Sequence, residues 1–139
     1  LRIAPPEAPV TGYMFGKGIY LADSSSKAAN YCHATKDDPN GLLVLCEAAL
    51  GKQLLLRVAD ENLTFHRVRA RGCDSTKGEG TTHMDPAANK ALPDGTVVPL
   101  GKPIPSGIDL SELLYNEYIV YRVQQVCVKY LVHVHFHFH

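Results

Sequence analysis

Residues 12–32, GYMFGKGIYLADSSSKAANYC, form the stretch of the chain with the most distinctive chemistry. Its glycines lack a Cβ atom, which lets the backbone approach a ligand closely. Ile19 and Leu21 predict a short strand after a glycine turn. Asp23, followed by three serines, is typical of a helix start. The stretch therefore predicts a turn, a strand and a short helix, in that order.

The same stretch indicates a slot for a flat ligand. Lys27 and Tyr31 are four residues apart and share one face of the predicted helix, which can look across at the ring of Tyr20. Two facing rings can hold a flat heterocycle by offset stacking, worth ~0.5–1.5 kcal/mol per aromatic pair beyond area burial. The spacing alone leaves a second interpretation open, in which these tyrosines are ordinary core or turn residues.

Composition narrows the class of protein. The 139 residues, 45% hydrophobic and 20% charged, suit one globular domain. Fourteen basic and fourteen acidic residues cancel, so the chain lacks the charge expected of a nucleic-acid-binding domain. Four cysteines without paired metal-ligand spacing favour reduced thiols in an intracellular protein. The glycines around Lys17 do not form a nucleoside-triphosphate loop, because the spacing is one residue short and no Ser or Thr follows the lysine.

Hydrophobic patterning predicts further elements. The apolar run at residues 42–50 predicts a buried strand that Gly51 ends, and residues 53–58 are predicted to continue the sheet. Residues 59–71 are compatible with a helix or an irregular loop. Residues 72–107 are rich in Gly, Pro, Ser and Thr, which predicts a long and functional loop.

Residues 113–122 predict a strand that carries a single carboxylate. Its odd positions share one face, which places Glu117 among apolar and aromatic neighbours. A charge in such surroundings is costly unless it is paired or used. The pattern also allows an edge-strand glutamate that points to water.

The last ten residues alternate strictly, which predicts a strand with four histidines on one face and apolar residues on the other. Histidines two apart on a strand can share a metal ion, but a structural site usually needs a closed tetrahedral set. We favour a solvated strand face for the histidines. For Arg67, Arg69 and Arg71 we likewise favour a solvated face over a binding patch.

Four segments resemble the catalytic domain of the DNA-damage-responsive poly(ADP-ribose) polymerases: residues 2–11, 12–23, 27–32 and 113–121. The resemblance extends nearly end to end, but it covers only the C-terminal part of that domain, because Leu1 follows the point where the family's nucleotide-binding His-Gly would lie. We therefore expect residues 1–139 to form a partial catalytic domain.

The resemblance implies an α+β, ADP-ribosyltransferase-like fold. Its mostly antiparallel sheets would surround an NAD cleft, with one short helix after Tyr20. The N-terminal part of the fold would be missing, which would leave sheet edges and apolar faces exposed.

The implied reaction cleaves the nicotinamide–ribose bond of NAD and transfers ADP-ribose to a protein side chain or a growing ADP-ribose chain. Glu117 matches the family's catalytic glutamate, and Tyr20 matches the tyrosine of its His-Tyr-Glu triad. Lys27 would be their electrostatic partner. The triad's histidine has no counterpart in this chain.

By the same resemblance, NAD would contact six residues, and no metal is expected. The prolines of residues 2–9 predict an extended loop. This loop would lie beside the cleft, and residues 101–109 would border the acceptor side. Ala28 departs from the family pattern, which has serine directly after the lysine. The six residues are Arg2 near the adenosine ribose, Tyr13, Gly18, Tyr20, Ala28 and Tyr31.

The implied partners are NAD and acceptor proteins, with DNA contacted only through modules absent from this chain. The resemblance also implies a nuclear protein. No apolar run approaches the ~20 residues of a membrane span, so no membrane association is expected. The alternative is a catalytically inert fragment or pseudoenzyme that acts as a binding or scaffold module.

Overall fold

A computed structural model of the chain describes residues 1–8 and 12–139. Residues 1–8 contain neither helix nor strand, as the prolines predict. Lys17 Nζ fixes this loop by donating to the carbonyls of Pro5 and Pro6, at 2.7 and 2.5 Å. Residue 9, the last of the predicted loop, and residues 10–11 lie outside the described part.

The described residues form ten strands and two short α-helices. The helices are α1 (Ser25–Ala29) and α2 (Phe65–Ala70). The strands are β1 (Ile19–Leu21), β2 (Asn40–Ala48), β3 (Gln53–Leu56), β4 (Ser75–Gly78), β5 (Thr82–Met84), β6 (Lys90–Ala91), β7 (Val97–Val98), β8 (Pro103–Pro105), β9 (Glu117–Val120) and β10 (Val126–His135).

The main sheet has the strand order β1-β9-β4-β3. Strand β9 pairs antiparallel with both β1 and β4, and β3 runs parallel to β4. Three antiparallel pairs complete the fold: β2 with β10, β5 with β8, and β6 with β7. The architecture is α+β with mostly antiparallel sheets, which confirms the predicted fold class.

A hydroxyl side chain caps the N-terminus of each of the two α-helices. Ser24 Oγ caps α1 by accepting from the Lys27 N–H at 3.4 Å, as the serine run predicts. Thr64 caps α2 in the same way, from the Arg67 N–H at 3.2 Å. Of the ambiguous segment at residues 59–71, residues 59–64 contain neither helix nor strand and Phe65–Ala70 form α2. Val68 of α2 is fully buried.

The core lies against β9 and joins it to the loop before β1. Phe15, Leu63 and Ile119 are among its most buried side chains. The Tyr121 hydroxyl donates to the Phe15 carbonyl and is paired with Thr76 Oγ1, each at 2.8 Å. This buried hydroxyl therefore ties three segments together near the site described below.

The prediction of a loop at residues 72–107 was wrong, because the strands β4 to β8 lie within it. Of these, β4 lies inside the main sheet. Ser75 and Thr76 are fully buried there. The sequence Ser-Thr-Lys-Gly lacks apolar alternation, so periodicity could not reveal the strand. Burial is tolerated because the hydroxyls are paired: Ser75 Oγ donates to the Leu50 carbonyl at 2.6 Å, and Thr76 pairs with Tyr121.

Strand β2 forms where the apolar run predicts a strand, but the prediction that it is buried was wrong. Leu42, Val44 and Leu45 are 59%, 47% and 56% exposed. The reason is that β2 pairs with β10 alone in the described structure, as a two-stranded ribbon. A strand also forms within the predicted range 113–122, but it is shorter than predicted and covers only β9, Glu117–Val120.

Strand β10 begins earlier and ends earlier than predicted, since it covers Val126–His135. His133 and His135 lie in the strand, and all four histidines of the C-terminal ten residues are exposed. Within residues 1–8 and 12–139 no cluster of three or more His, Cys, Asp or Glu side chains could hold a metal ion. Neither of the two described α-helices has the length and hydropathy that crossing a membrane requires.

Candidate active site

The lysine of α1 and the glutamate of β9 form an ion pair. Lys27 Nζ lies 2.9 Å from Glu117 Oε1, and only 13% and 12% of the two side chains are exposed. Lys27 Nζ also donates to the carbonyls of Tyr115 and Asn116, at 3.4 and 3.3 Å. Glu117 Oε2 is buried without a hydrogen-bond partner among the described residues. One carboxylate oxygen is therefore paired, and the other can accept a further hydrogen bond.

The ring of Tyr20 is fixed by the loop that precedes β1. Its hydroxyl accepts from the Phe15 N–H at 2.9 Å and donates to the Gly16 carbonyl at 2.8 Å. Burial raises the pKa of Tyr20 above its usual value, so the phenol stays neutral. Gly16 has a φ of 74°, and a Cβ there would collide with the Leu63 backbone. The ring of Tyr13 packs against the ring of Tyr20, with 6.0 Å between the two ring centroids and an angle of 49° between the ring planes.

A cavity of about 240 Å³ opens beside Tyr20, between β1, α1, β2 and β9. Five residues that the sequence predicts for the site meet here. They are Tyr20, Lys27, Ala28, Tyr31 and Glu117, and the rest of the lining is Leu21, Ala22, Leu42, Leu43 and Val44.

Tyr31 forms an open wall of this cavity. It lies in the 3-10 turn Asn30–Cys32 that follows α1, and it is 70% exposed. Tyr20 is half-buried on the β1 side. Ala28 also lines the cavity, with a methyl group that offers no hydrogen bond. The predicted slot thus has one fixed ring and one ring at the solvent edge.

The other three predicted residues lie outside this lining. Arg2 is exposed in the N-terminal loop, and Tyr13 packs against the ring of Tyr20. Gly18 lies against β9, where a Cβ would come within 2.6 Å of Ile119 Cγ2 and 2.7 Å of the Val120 carbonyl. Gly18 therefore has a packing reason to be glycine, because it lets β1 approach β9.

Sequence reasoning missed three residues on the opposite side of β9. Asp23 Oδ2 accepts from Asn116 Nδ2 at 3.2 Å and from the Tyr118 hydroxyl at 2.9 Å. Asn116 Oδ1 accepts in turn from the Gly80 N–H at 3.0 Å. The sequence indicates Asp23 only as part of the helix start. The available signal was the alternation of β9, because residues on either side of Glu117 face away from it and need partners of their own.

Comparison with known sequences decides the family. Residues 1–136 match the sequence profile of the poly(ADP-ribose) polymerase catalytic domain. The chain belongs to the poly(ADP-ribose) polymerase catalytic-domain family. It is 51% identical over 138 residues to Poly(ADP-ribose) polymerase 2 of Arabidopsis thaliana and 54% identical over 138 residues to Poly(ADP-ribose) polymerase 1 of Gallus gallus. It is also 52% identical over 138 residues to Poly(ADP-ribose) polymerase 2-A of Oryza sativa subsp. japonica.

This member of the poly(ADP-ribose) polymerase family aligns with those relatives over 99% of its own length. The alignment covers 21% of the Arabidopsis protein, 20% of the rice protein and 13% of the chicken protein. The chain thus spans between 13% and 21% of these relatives. The family resemblance inferred from its motifs is confirmed.

Proposed function

We propose that this chain supplies part of the active site of an NAD-dependent ADP-ribosyltransferase, with residues 1–139 as part of its catalytic domain. The enzyme transfers ADP-ribose from NAD to protein side chains or to a growing ADP-ribose chain and releases nicotinamide. The observation that carries the proposal is the Lys27–Glu117 ion pair inside a cavity that Tyr20 and Tyr31 border. Membership of the poly(ADP-ribose) polymerase family supports it.

The cavity suits the nicotinamide end of NAD. At about 240 Å³ it is smaller than the ~300–1,000 Å³ of sites that enclose a drug-sized ligand, so it takes one ring and its neighbouring sugar rather than the whole dinucleotide. Tyr20 supplies a ring held by two hydrogen bonds, which is pre-organised for stacking. Tyr31 supplies a second aromatic face at the entrance, where a ligand can cover it.

Glu117 and Lys27 match the electrostatic demands of the reaction. Loss of nicotinamide leaves an oxocarbenium-like ribose, which a nearby carboxylate stabilises. The unpaired Glu117 Oε2 is suited to accept a hydrogen bond from a ribose hydroxyl. Lys27 holds the other oxygen and the carbonyls beside it, so the carboxylate is oriented before the ligand arrives.

The remaining roles follow the resemblance. Arg2, Tyr13 and Gly18 would lie along the rest of the NAD cleft, and residues 101–109 would border the acceptor protein or ADP-ribose chain. DNA would act through parts of the protein outside this chain, and the protein would be nuclear.

Labelled NAD tests the proposal in the full-length protein. With the label on nicotinamide, the protein should release free nicotinamide, and with the label on adenine, the label should become attached to protein. Lys27→Met should reduce both nicotinamide release and protein labelling by at least about tenfold. The reason is that it leaves the buried Glu117 carboxylate without its charged partner. Lys129→Met is the matched control, since Lys129 pairs with Glu47 at 3.2 Å on the exposed surface.

Three results would contradict the proposal. NAD that binds without release of nicotinamide would favour the scaffold alternative. Release without labelled protein would indicate an NAD hydrolase. Equal activity of Lys27→Met and Lys129→Met would place the reaction away from this cavity.

A further inference from the structure

The two neighbours of Glu117 are held by a single carboxylate. Asp23 Oδ2 accepts from Asn116 and from Tyr118, which directly precede and follow Glu117 on the chain. We propose that Asp23 is a positioning residue of the transfer reaction, which fixes the backbone that carries Glu117 relative to α1. This assignment rests on the proposed function.

The two hydrogen bonds that Asp23 accepts are stronger than hydrogen bonds between neutral groups, because their acceptor is a carboxylate. Asp23 Oδ1 is buried and unpartnered among residues 1–8 and 12–139, while Oδ2 accepts both hydrogen bonds. Hydrogen bonds to an ionised acceptor are roughly twice as strong as neutral ones. Burial, together with the nearby Asp23 charge, raises the pKa of the Tyr118 hydroxyl, which therefore remains protonated and can donate.

Asp23 and Lys27 attach the same strand segment to the same helix. Lys27, inside α1, holds the carbonyls of Tyr115 and Asn116 and the carboxylate of Glu117. Asp23, just before the cap residue of α1, holds the side chains that point the other way. Residues 115–118 are thus held by Lys27 on one side and by Asp23 on the other. Loss of the two hydrogen bonds to Asp23 would let the Glu117 carboxylate move relative to the Lys27 ammonium.

A third contact makes this arrangement rigid. Asn116 bonds Asp23 through its amide nitrogen and the Gly80 N–H through its amide oxygen, at 3.0 Å. Asp23 is thereby linked through Asn116 to the chain that follows β4. Asp23 does not cap α1, since Ser24 does, so its removal leaves the helix start intact.

The test is a set of variants of the full-length protein, assayed by nicotinamide release at varied NAD. Asp23→Ala removes both hydrogen bonds and should lower kcat by about ten- to hundredfold, the range that misplacement of a reacting group produces. KM for NAD should change less than about twofold. Asp23→Asn keeps an acceptor oxygen and should recover part of kcat. Tyr118→Phe removes one of the two bonds and should give an intermediate loss.

Asp37→Ala is the matched control, because Asp37 is exposed in the turn before β2 and should retain wild-type kcat. Each rate is divided by the folded fraction from thermal unfolding, so that a loss of folded protein is not counted as a loss of rate. Tyr118→Phe keeps the test decisive if Asp23→Ala does not fold.

Unchanged kcat in both Asp23→Ala and Tyr118→Phe would overturn the assignment. So would a rise in KM at constant kcat, which would make Asp23 a binding residue. Wild-type protein that releases no nicotinamide would overturn the proposed function and this assignment together, whereas active wild type with unaffected variants would overturn the assignment alone.

Discussion

Ala28→Ser should strengthen binding of nicotinamide-like ligands. Ala28 lines the same cavity as Lys27 and Tyr20. In the family pattern that the sequence resembles, serine would stand here, and its hydroxyl would bond the carboxamide of the ligand. The methyl group of alanine leaves that part of the carboxamide without a side-chain partner.

The expected gain follows from the hydrogen bond that is added. A typical hydrogen bond contributes a net ~1 kcal/mol, and an unmade one in a buried site costs ~1–3 kcal/mol. Since a factor of ten corresponds to ~1.4 kcal/mol, the dissociation constant should fall roughly tenfold. The cavity is open at Tyr31, so water that bonds the carboxamide in the wild type would reduce this gain.

Calorimetric titration of the full-length protein with a benzamide-type ligand measures the effect. Ala29→Ser is the matched control, because it makes the same change at the next position of α1 and carries the same helix-propensity cost. Equal affinity of Ala28→Ser and wild type would mean that backbone groups alone hold the carboxamide. Equal tightening by Ala29→Ser would also refute the reasoning.

Two further predictions concern stability. Burial raises the pKa of Tyr121 to about 12, so its stabilising effect is present below pH ~10 and is lost as the pH rises towards 12. Thermal unfolding of Tyr121→Phe should therefore show a lower unfolding temperature at neutral pH and a shallower decline between pH 10 and 12, and an unchanged decline would contradict this. Gly16→Ala should lower the unfolding temperature more than Gly95→Ala, because both have positive φ but only Gly16 would also collide with the Leu63 backbone. An equal fall in unfolding temperature for the two variants would show that the backbone near Leu63 makes room for the added Cβ without loss of stability.

Local signals predicted the first part of the site well. The serines before Lys27 fix the start of α1, and the strand at Ile19–Leu21 follows its glycine turn as expected. These features depend on neighbouring residues alone. Lys27 and Tyr31 do line one cavity, but Tyr31 lies in the 3-10 turn after α1 and not on the predicted helix.

Features that depend on distant partners could not be predicted in this way. The buried Ser75 and Thr76 are stabilised by Leu50 and Tyr121, which lie 25 and 45 residues away. The role of Asp23 likewise depends on residues 93 and 95 positions later. The exposure of β2 reflects which strands pair with it, a property that its own apolar run does not contain.

Glu117→Gln tests the central claim most directly, because it keeps the size of the side chain and removes the charge. In the full-length protein we expect NAD to bind within about twofold of wild type, while nicotinamide release falls at least about a hundredfold and ADP-ribose chain elongation stops, the loss typical for removal of one preorganised electrostatic group. Glu61→Gln, at an exposed position, is the matched control. Wild-type turnover and chain length in Glu117→Gln would contradict the account.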